Sequence, residues 1–290
     1  MAREIKIGNK VIGDGQPAYL IAEIGINHNG SLDTAKEMIM AAQETGADAV
    51  KFQKRTPELC VPKDQWDIMR ETPWGYISYL EYRKKVEFGI EEYKVIDAFC
   101  RELGIDWFVS VWDETAIEFM ETFKPICYKV PSASLTDVNL LKKIRSTGRP
   151  IILSTGMSTL EQIESSVKEI GLDNLVLMHA TSAYPCDPME LNLRMIETLR
   201  QQYACPIGYS GHEVALITSV VAVSLGACMV ERHFTLDRAM WGGDQSASVE
   251  PGGFRKLVKY IRVTEMALGD GVKRVYDSEK SSLKKLRRFL

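Results

Sequence analysis

Two lysines, two histidines, several carboxylates and a set of serines recur along this 290-residue chain, each near the end of a short apolar run. They are Glu23, Lys51, Gln53, Ser110, Lys129, Ser132, Ser154, Ser182, His212, Glu231 and His233. A lysine inside a protein is costly unless it meets an anion. Lys51 and Lys129, ringed by Ser110, Ser132, Ser154 and Ser182, therefore describe a pocket for a phosphate, or for a phosphate with a carboxylate. His212 and His233 end consecutive runs, and neighbouring strands lie roughly 4.8 Å apart, so two imidazoles can share one ion. With Glu23, Glu231 or Asp244 as the acid, such a site suits Mn2+, Fe2+ or Zn2+ acting on a carbonyl. Singly, each serine is a strand-end residue and each histidine a structural one. Their coincidence is the signal.

The elements that must position these groups are the runs themselves. They read YLIAEIG (19–25), DAVKFQK (48–54), DWFVSVW (106–112), CYKVPS (127–132), PIILSTG (150–156), LVLMHATS (175–182), PIGYSGH (206–212) and CMVERHF (228–234). Helical patterns separate them: 32–46, 91–104, 113–123, 136–148, 158–171, 192–203 and 213–226. The first has apolar positions at Ala35, Met38, Ile39 and Ala42, with Ser31 as N-cap and Gly46 closing it. The last is the most apolar and is expected to be largely buried. Eight strands alternating with helices predict an α/β fold, a (β/α)8 TIM barrel over 18–272, with its active site at the C-terminal face. Strand alternation puts Lys51 and Gln53 on one face and Val50 and Phe52 on the other. By the same rule Ser110 lies with Phe108, Lys129 with Cys127, Ser154 with Ile152, and Glu231 with His233.

Outside this rhythm lie three segments. Residues 1–17 predict a β-hairpin cap, with Gly8–Asn9 and Gly13–Gly15 as turn signals. Residues 55–89 form a long insertion that is either a lid or a surface loop pinned by its own aromatics. For a lid, Trp66, Trp74, Tyr76, Tyr79 and Tyr82 are the residues to cover a substrate. The tail, 273–290, carries seven Lys/Arg against two acids and reads as a solvated helix or linker rather than a nucleic-acid patch. Of the remaining histidines, His28 sits in a loop and His179 near a strand end; neither is assigned to the metal. Asp244, in the Gly-rich loop after the last strand, is either a turn former or a contact for a hydroxyl-rich ligand.

A net charge of −3 asks for neither nucleic acid nor a membrane surface. No apolar stretch reaches the roughly 18 residues of a membrane span, and the N-terminus lacks a secretory h-region. Six scattered cysteines without a CxxC pair predict reduced thiols and a cytoplasmic protein.

Seven segments together resemble the sialic acid synthases, the phosphoenolpyruvate-dependent synthases of nonulosonic acids. They are IAEIGINHNGSLDTAKEMIMAAQETGADAVKFQ, RETPWGYISYLEYRKKVEFG, YKVPSASLTD, ILSTGM, HATSAYP, IGYSGHE and VERHFTLDRAMWGGDQSASVEP. The resemblance implies condensation of phosphoenolpyruvate with an open-chain mannose-type aldose (N-acetylmannosamine, mannose or a 6-phosphate). The product would be a nine-carbon 3-deoxy-2-keto acid, with phosphate released. It also implies that His212 and His233 ligate a divalent metal, Mn2+ foremost, with Mg2+ or Co2+ as alternatives. Lys51, Ser110, Lys129, Ser132, Ser154 and Ser182 fall where the family holds phosphoenolpyruvate. Glu23, Gln53 and Glu231 fall at the reacting centre, and Asn27, Tyr184 and Asp244 where the acceptor sugar is bound. A homodimer or larger homo-oligomer is implied.

Departures from the family pattern concern the acceptor. Relatives commonly read IPSGE and HCTN where this chain reads VPSAS (130–134) and HATS (179–182), and GPD where it reads GGD (242–244). Ser134 thus replaces a carboxylate that could contact the acceptor, and Ser182 an amide. The sequence stops at RRFL (287–290), where bacterial synthases read on into an antifreeze-like domain that contacts the acceptor's acyl group. That favours unacylated acceptors, and hence a KDN-type or other 3-deoxy-ulosonate synthase, as the alternative. Rival readings are a Schiff-base pyruvate aldolase using Lys51 or Lys129, a metal hydrolase, and a non-catalytic sugar- or phosphate-binding barrel.

Overall fold

The computed structural model describes residues 3–289. A hairpin comes first, with β1 (Glu4–Ile7) antiparallel to β2 (Lys10–Gly13). The first barrel strand, β3 (Tyr19–Gly25), leads to α1 (Leu32–Glu44), and β4 (Ala49–Lys54) leads into the insertion. There the chain makes a short α2 (Pro57–Cys60), a second hairpin of β5 (Met69–Thr72) and β6 (Gly75–Ser78), and α3 (Tyr79–Val86). After α4 (Ile90–Leu103) the alternation resumes. Strands β7 (Asp106–Val111), β8 (Tyr128–Val130) and β9 (Ile151–Ser154) are followed by helices α5 (Glu114–Glu121), α6 (Val138–Ser146) and α7 (Leu160–Ile170). Strands β10 (Leu175–Ala180), β11 (Ile207–Gly211) and β12 (Met229–His233) are followed by α8 (Met195–Gln202), α9 (Ile217–Ser224) and α10 (Pro251–Leu268). A final helix, α11 (Lys280–Leu286), lies in the basic tail.

Eight parallel strands close a barrel in the order β3-β4-β7-β8-β9-β10-β11-β12, with β12 pairing back onto β3. Each of the eight apolar runs supplies one of them. The α1 prediction holds in detail. Ser31 accepts from the Thr34 amide as N-cap, and Ala35, Met38, Ile39 and Ala42 are its buried positions.

Alternation sorts the side chains into two cores. Val50, Phe52 and Val109 face outward and pack with the helices. Ile21, Ala49, Phe108, Cys127, Ile152, Met178 and Met229 fill the lumen below the site. Ile5, Ile7 and Ile12 of the N-terminal hairpin join that inner cluster. The cap therefore plugs the floor, and the polar residues two positions further along the strands have the upper layer to themselves.

One expectation needs correction. The most apolar helix, α9, buries Val220, Ala222 and Val223 but leaves Ile217 and Val221 exposed. Only one face of a helix can lie on the barrel, so composition overstates its burial. The six cysteines are free, and all but Cys60 are buried. Among the described residues, no helix is long and apolar enough to cross a membrane.

Candidate active site

A cavity of about 320 Å³ opens at the C-terminal ends of the barrel strands. On its floor two lysines meet two glutamates. Lys51 Nζ lies 2.7 Å from Glu23 Oε2, as an ion pair off the hydrogen-bond axis, and donates to Ser110 Oγ at 2.6 Å. Lys129 Nζ donates to both Glu231 oxygens, at 3.2 and 3.1 Å. Lys51 also approaches Glu231 Oε1, at 3.6 Å. The sequence reading left these lysines for an incoming anion; the fold gives each an internal carboxylate first. Lysine and glutamate on neighbouring or facing strands meet only when the barrel closes, so one-dimensional spacing could not show it.

The pairing sets the charges. Burial pushes Lys51 down, but Glu23 and Glu231 together outweigh it and hold the ammonium above its usual range. For Lys129, burial wins over the pull of Glu231, and its pKa is lowered. Burial favours a protonated Glu231, but Lys129 and Lys51 overcome it and take the carboxyl down to about 2. Glu23 is aimed by its backbone. A β-bulge interrupts the β3–β4 register between Glu23 and Gly25. Gly25, at φ +56°, has its missing Cβ beside Gln53 Nε2 and Glu23 Oε1, which leaves room for their 3.1 Å hydrogen bond.

Across the floor stands a hydroxyl cradle. Ser132 follows β8, Ser154 ends β9 and Ser182 follows β10, and all three line the cavity. Gly156 lies among them: a Cβ there would sit 2.3 Å from Ser182 Oγ and 2.9 Å from Ser132 Oγ. Ser132 Oγ accepts from the Gly156 amide, whereas the buried hydroxyls of Ser154 and Ser182 have no hydrogen-bond partner. Orphan hydroxyls beside two ammonium groups fit an anion rich in acceptor oxygens.

The two histidines lie on the next part of the rim, with ring centroids 5.6 Å apart. His212 Nδ1 donates to the Thr181 carbonyl at 2.7 Å, which leaves Nε2 unprotonated and facing the Tyr184 hydroxyl at 3.2 Å. Burial, and then the neighbouring His233, lowers the His212 pKa to about 3, so the ring stays neutral. His233 Nδ1 is buried with no hydrogen-bond partner, and Asp244 Oδ2 lies 3.9 Å from it. Two unprotonated imidazole nitrogens, one without a partner and one met only by the Tyr184 hydroxyl, beside a carboxylate match the donor chemistry of a divalent ion. Among the described residues, no three such side chains already converge tightly enough to count as a preformed metal cluster.

The cavity thus gathers Glu23, Lys51, Gln53, Ser110, Lys129 and Glu231 with the three cradle serines, Tyr184, the histidine pair and Asp244. Asn27 is the exception and is corrected. It does not line the cavity, and its buried amide donates to Phe234 O and Ser248 Oγ, tying the loop after β3 to the loop after β12. Ser134 likewise lies outside the lining. His179 Nε2 donates to the Leu191 carbonyl away from the metal pair, and His28 stacks on Phe88.

The insertion supplies part of the mouth, though not through the aromatics. Tyr82 packs against Trp241 with centroids 5.2 Å apart, and Arg70 stacks on Tyr79. Arg83 of α3 lines the cavity instead, with Arg55 and Trp112. Sequence reasoning missed these three and Ser210. Ser210 was findable, two residues before His212 on the same strand face. Arg83 was not, because a residue of an irregular insertion has no period to place it.

Comparison with known proteins shows the family and the fold. The NeuB family pattern matches residues 38–273, which takes in most of the barrel. The chain belongs to the NeuB family. Its relatives include the N-acetylneuraminate-9-phosphate synthase of Mus musculus, 38% identical over 95% of this chain and 78% of that protein. An N,N'-diacetyllegionaminic acid synthase of Legionella pneumophila is 34% identical over 94% of this chain and 79% of its own length. Among solved structures, the sialic acid synthetase of Leptospira borgpetersenii, crystallised with citrate, superimposes with a TM-score of 0.88. It is 30% identical and the match covers 100% of this chain and 99% of that one. This NeuB-family barrel is therefore matched over 94–95% of its length by these two relatives in sequence and over 100% in fold.

Proposed function

We propose that the protein condenses phosphoenolpyruvate with an open-chain mannose-type aldose to give a nine-carbon 3-deoxy-2-keto sugar acid and phosphate. The observation that carries this reading is the shared mouth of two unlike sites. Partnerless serine hydroxyls beside Lys51 and Lys129 face the same cavity as the partnerless His233 Nδ1 and a His212 Nε2 met only by the Tyr184 hydroxyl. The family relatives, named as synthases of such acids, support it.

In this scheme Ser132, Ser154 and Ser182, with Lys129, hold the phosphate, while Lys51 and Ser110 hold the carboxylate. The C3 carbon of phosphoenolpyruvate attacks the acceptor aldehyde carbon, forming the new C–C bond. Water adds at C2, and the C2–O bond to phosphate breaks, so that oxygen leaves with the phosphate. Glu23, buried against Lys51 and hydrogen-bonded by Gln53, is the group we assign to holding and moving protons. Tyr184 and Asp244 are assigned to orienting the acceptor. His212 Nε2 and His233 Nδ1 would hold a divalent ion, Mn2+ by preference over Mg2+ or Co2+, with Asp244 alongside. When bound, such an ion supplies Lewis-acid polarisation of the acceptor carbonyl. Exposed Ile217 and Val221 on α9 support a homo-oligomer, and six unpaired thiols support a cytoplasmic setting.

One observation favours a second reading. Burial holds Lys129 below the usual lysine range, as a Schiff-base pyruvate aldolase would require. A single experiment separates the two. Phosphate release from phosphoenolpyruvate is assayed with N-acetylmannosamine, mannose, their 6-phosphates and arabinose 5-phosphate, before and after chelation. The synthase reading expects turnover that chelation abolishes and Mn2+ restores, with metal content lost in His212→Ala and His233→Ala. Covalent trapping of pyruvate by borohydride, with no phosphate released, would overturn it.

A further inference from the structure

Beyond the groups assigned above, the cavity mouth carries a second set of donors with nothing to bind. Arg83 is a buried residue of α3, its side chain 5% exposed, yet its Nε and Nη2 have no hydrogen-bond partner. Arg55 Nε and Trp112 Nε1 are likewise buried and unpartnered. All three side chains line the cavity, and the Arg55 guanidinium stacks over the Trp112 ring at 3.9 Å. The loop bearing Arg55 is pinned, since Thr56 donates its backbone N–H at 2.6 Å and its hydroxyl at 3.0 Å to Asp113.

Charge makes the arrangement costly without a ligand. Lys54, Arg55 and Arg83 surround one carboxylate, Glu87. Its Oε1 stays 3.6 Å from Arg55 Nε and 3.8 Å from Arg83 Nη2, beyond hydrogen-bond distance. Each guanidinium also raises the cost of the other: burial and then Arg83 push Arg55 down to about 10. Arg55 Nη2 donates to Gln53 Oε1, but the open Nε of Arg55, the open Nε and Nη2 of Arg83 and the local excess of cations are the chemistry of an oxyanion site.

Phosphoenolpyruvate cannot fill both sites. Arg55 follows β4, whereas Ser182 follows β10, and in the ring order β4 and β10 stand four strands apart, diametrically opposed. Phosphoenolpyruvate bears one phosphate and one carboxylate, and the scheme above gives both to the two lysines, Ser110 and the serine cradle, so no second anion of that substrate is left for the arginines. In the scheme proposed above the acceptor aldehyde meets C3 of phosphoenolpyruvate, so the far end of an extended aldose is the part left to reach this rim. Arg83, which lies 5.9 Å over the Tyr82 ring, and Asp244, which lies beside His233, line the same cavity.

We infer that Arg55 and Arg83, with the Trp112 indole N–H, form a subsite for a phosphate monoester at the end of the acceptor remote from its aldehyde. This rests on the synthase reading and narrows it: the substrate is a 6-phosphorylated hexose rather than the free sugar. The loop after β4 and helix α3 then act as a specificity clamp.

The test uses matched acceptor pairs, mannose against mannose 6-phosphate and N-acetylmannosamine against its 6-phosphate, with phosphoenolpyruvate consumption as readout. Binding of mannose 6-phosphate is measured by calorimetry in parallel. The phosphorylated member of a pair should have a kcat/KM about tenfold or more higher, the size expected for hydrogen bonds to a charged group. Arg83→Gln and Arg55→Gln should raise the KM of the phosphorylated acceptor about tenfold and that of phosphoenolpyruvate far less, with Arg83→Lys intermediate. Equal or better turnover of the free sugars would overturn the subsite and leave the synthase reading intact. If no pair turns over, calorimetry decides: Arg83-dependent binding of mannose 6-phosphate keeps the subsite and sinks the reaction, and absence of binding sinks the subsite as well. A variant that has lost its far-ultraviolet dichroism is replaced by Glu87→Gln, which keeps both arginines and should tighten mannose 6-phosphate.

Discussion

At the scale of single residues, the informative atoms are those left without partners. Buried polar groups are nearly always hydrogen-bonded, so an orphan in an open cavity marks where a ligand makes the missing bond. Ser154 Oγ is such an atom, and nothing else in the fold uses it. Ser154→Ala therefore removes a contact to substrate without removing one within the protein. We expect the KM for phosphoenolpyruvate to rise roughly 10- to 100-fold, the equivalent of about 1.5–3 kcal/mol for a hydrogen bond to a charged group, with the melting temperature unchanged. A variant with an unaltered KM and a lowered melting temperature would make Ser154 structural. Sequence reading found this serine from its strand-end position. It could not tell a spent hydroxyl from a free one, and Asn27 shows the cost of that. Both are polar loop or strand-end residues, but the Asn27 Nδ2 hydrogens already go to Phe234 O and Ser248 Oγ.

Between elements, the two histidines depend on how β11 is held to β12. Arg232 and Glu213 sit next to His233 and His212, and form an ion pair at 3.2 Å with side chains 1% and 0% exposed. Arg232 also donates to the carbonyls of Ala215 and Glu213 and to Ser219 Oγ, and Glu213 accepts from Tyr209 Oη. The pair thus faces outward while its neighbours in sequence face the site, as alternation requires. Removing one partner of a buried pair strands the other charge. Arg232→Met should cost about 3–5 kcal/mol by denaturant unfolding, and Arg232→Met with Glu213→Gln less than the sum of the single changes. Additive losses would show that the two side chains do not interact. This pair was invisible in the sequence, where an arginine between Glu231 and His233 gives no sign of its partner.

For the whole molecule, the architecture separates what is stabilising from what is available for chemistry. The N-terminal hairpin and the inner apolar layer close the bottom of the barrel, and the strand ends and loops carry the site above them. The tail lies outside both. Residues 273–289 are exposed apart from a half-buried Leu283, and α11 buries nothing. A chain ending at residue 272 should therefore lose less than about 0.5 kcal/mol of stability and keep its steady-state constants. A loss several times larger would mean that the tail packs on a surface of this protein or of a second copy.

Strand number, face and order were legible in the sequence because each depends on local periodicity: apolar runs with a two-residue repeat, alternating with helices of period 3.6. That local signal was enough to bring Lys51, Lys129, the serines and both histidines to one mouth. Only the closed tertiary structure decided which lysine meets which glutamate, that Asn27 serves the loops, and that Arg55 and Arg83 face the cavity. Those contacts join residues far apart in sequence across a barrel or from an irregular insertion. Their energies depend on burial and on the charges brought beside them, and no pattern along a chain specifies either.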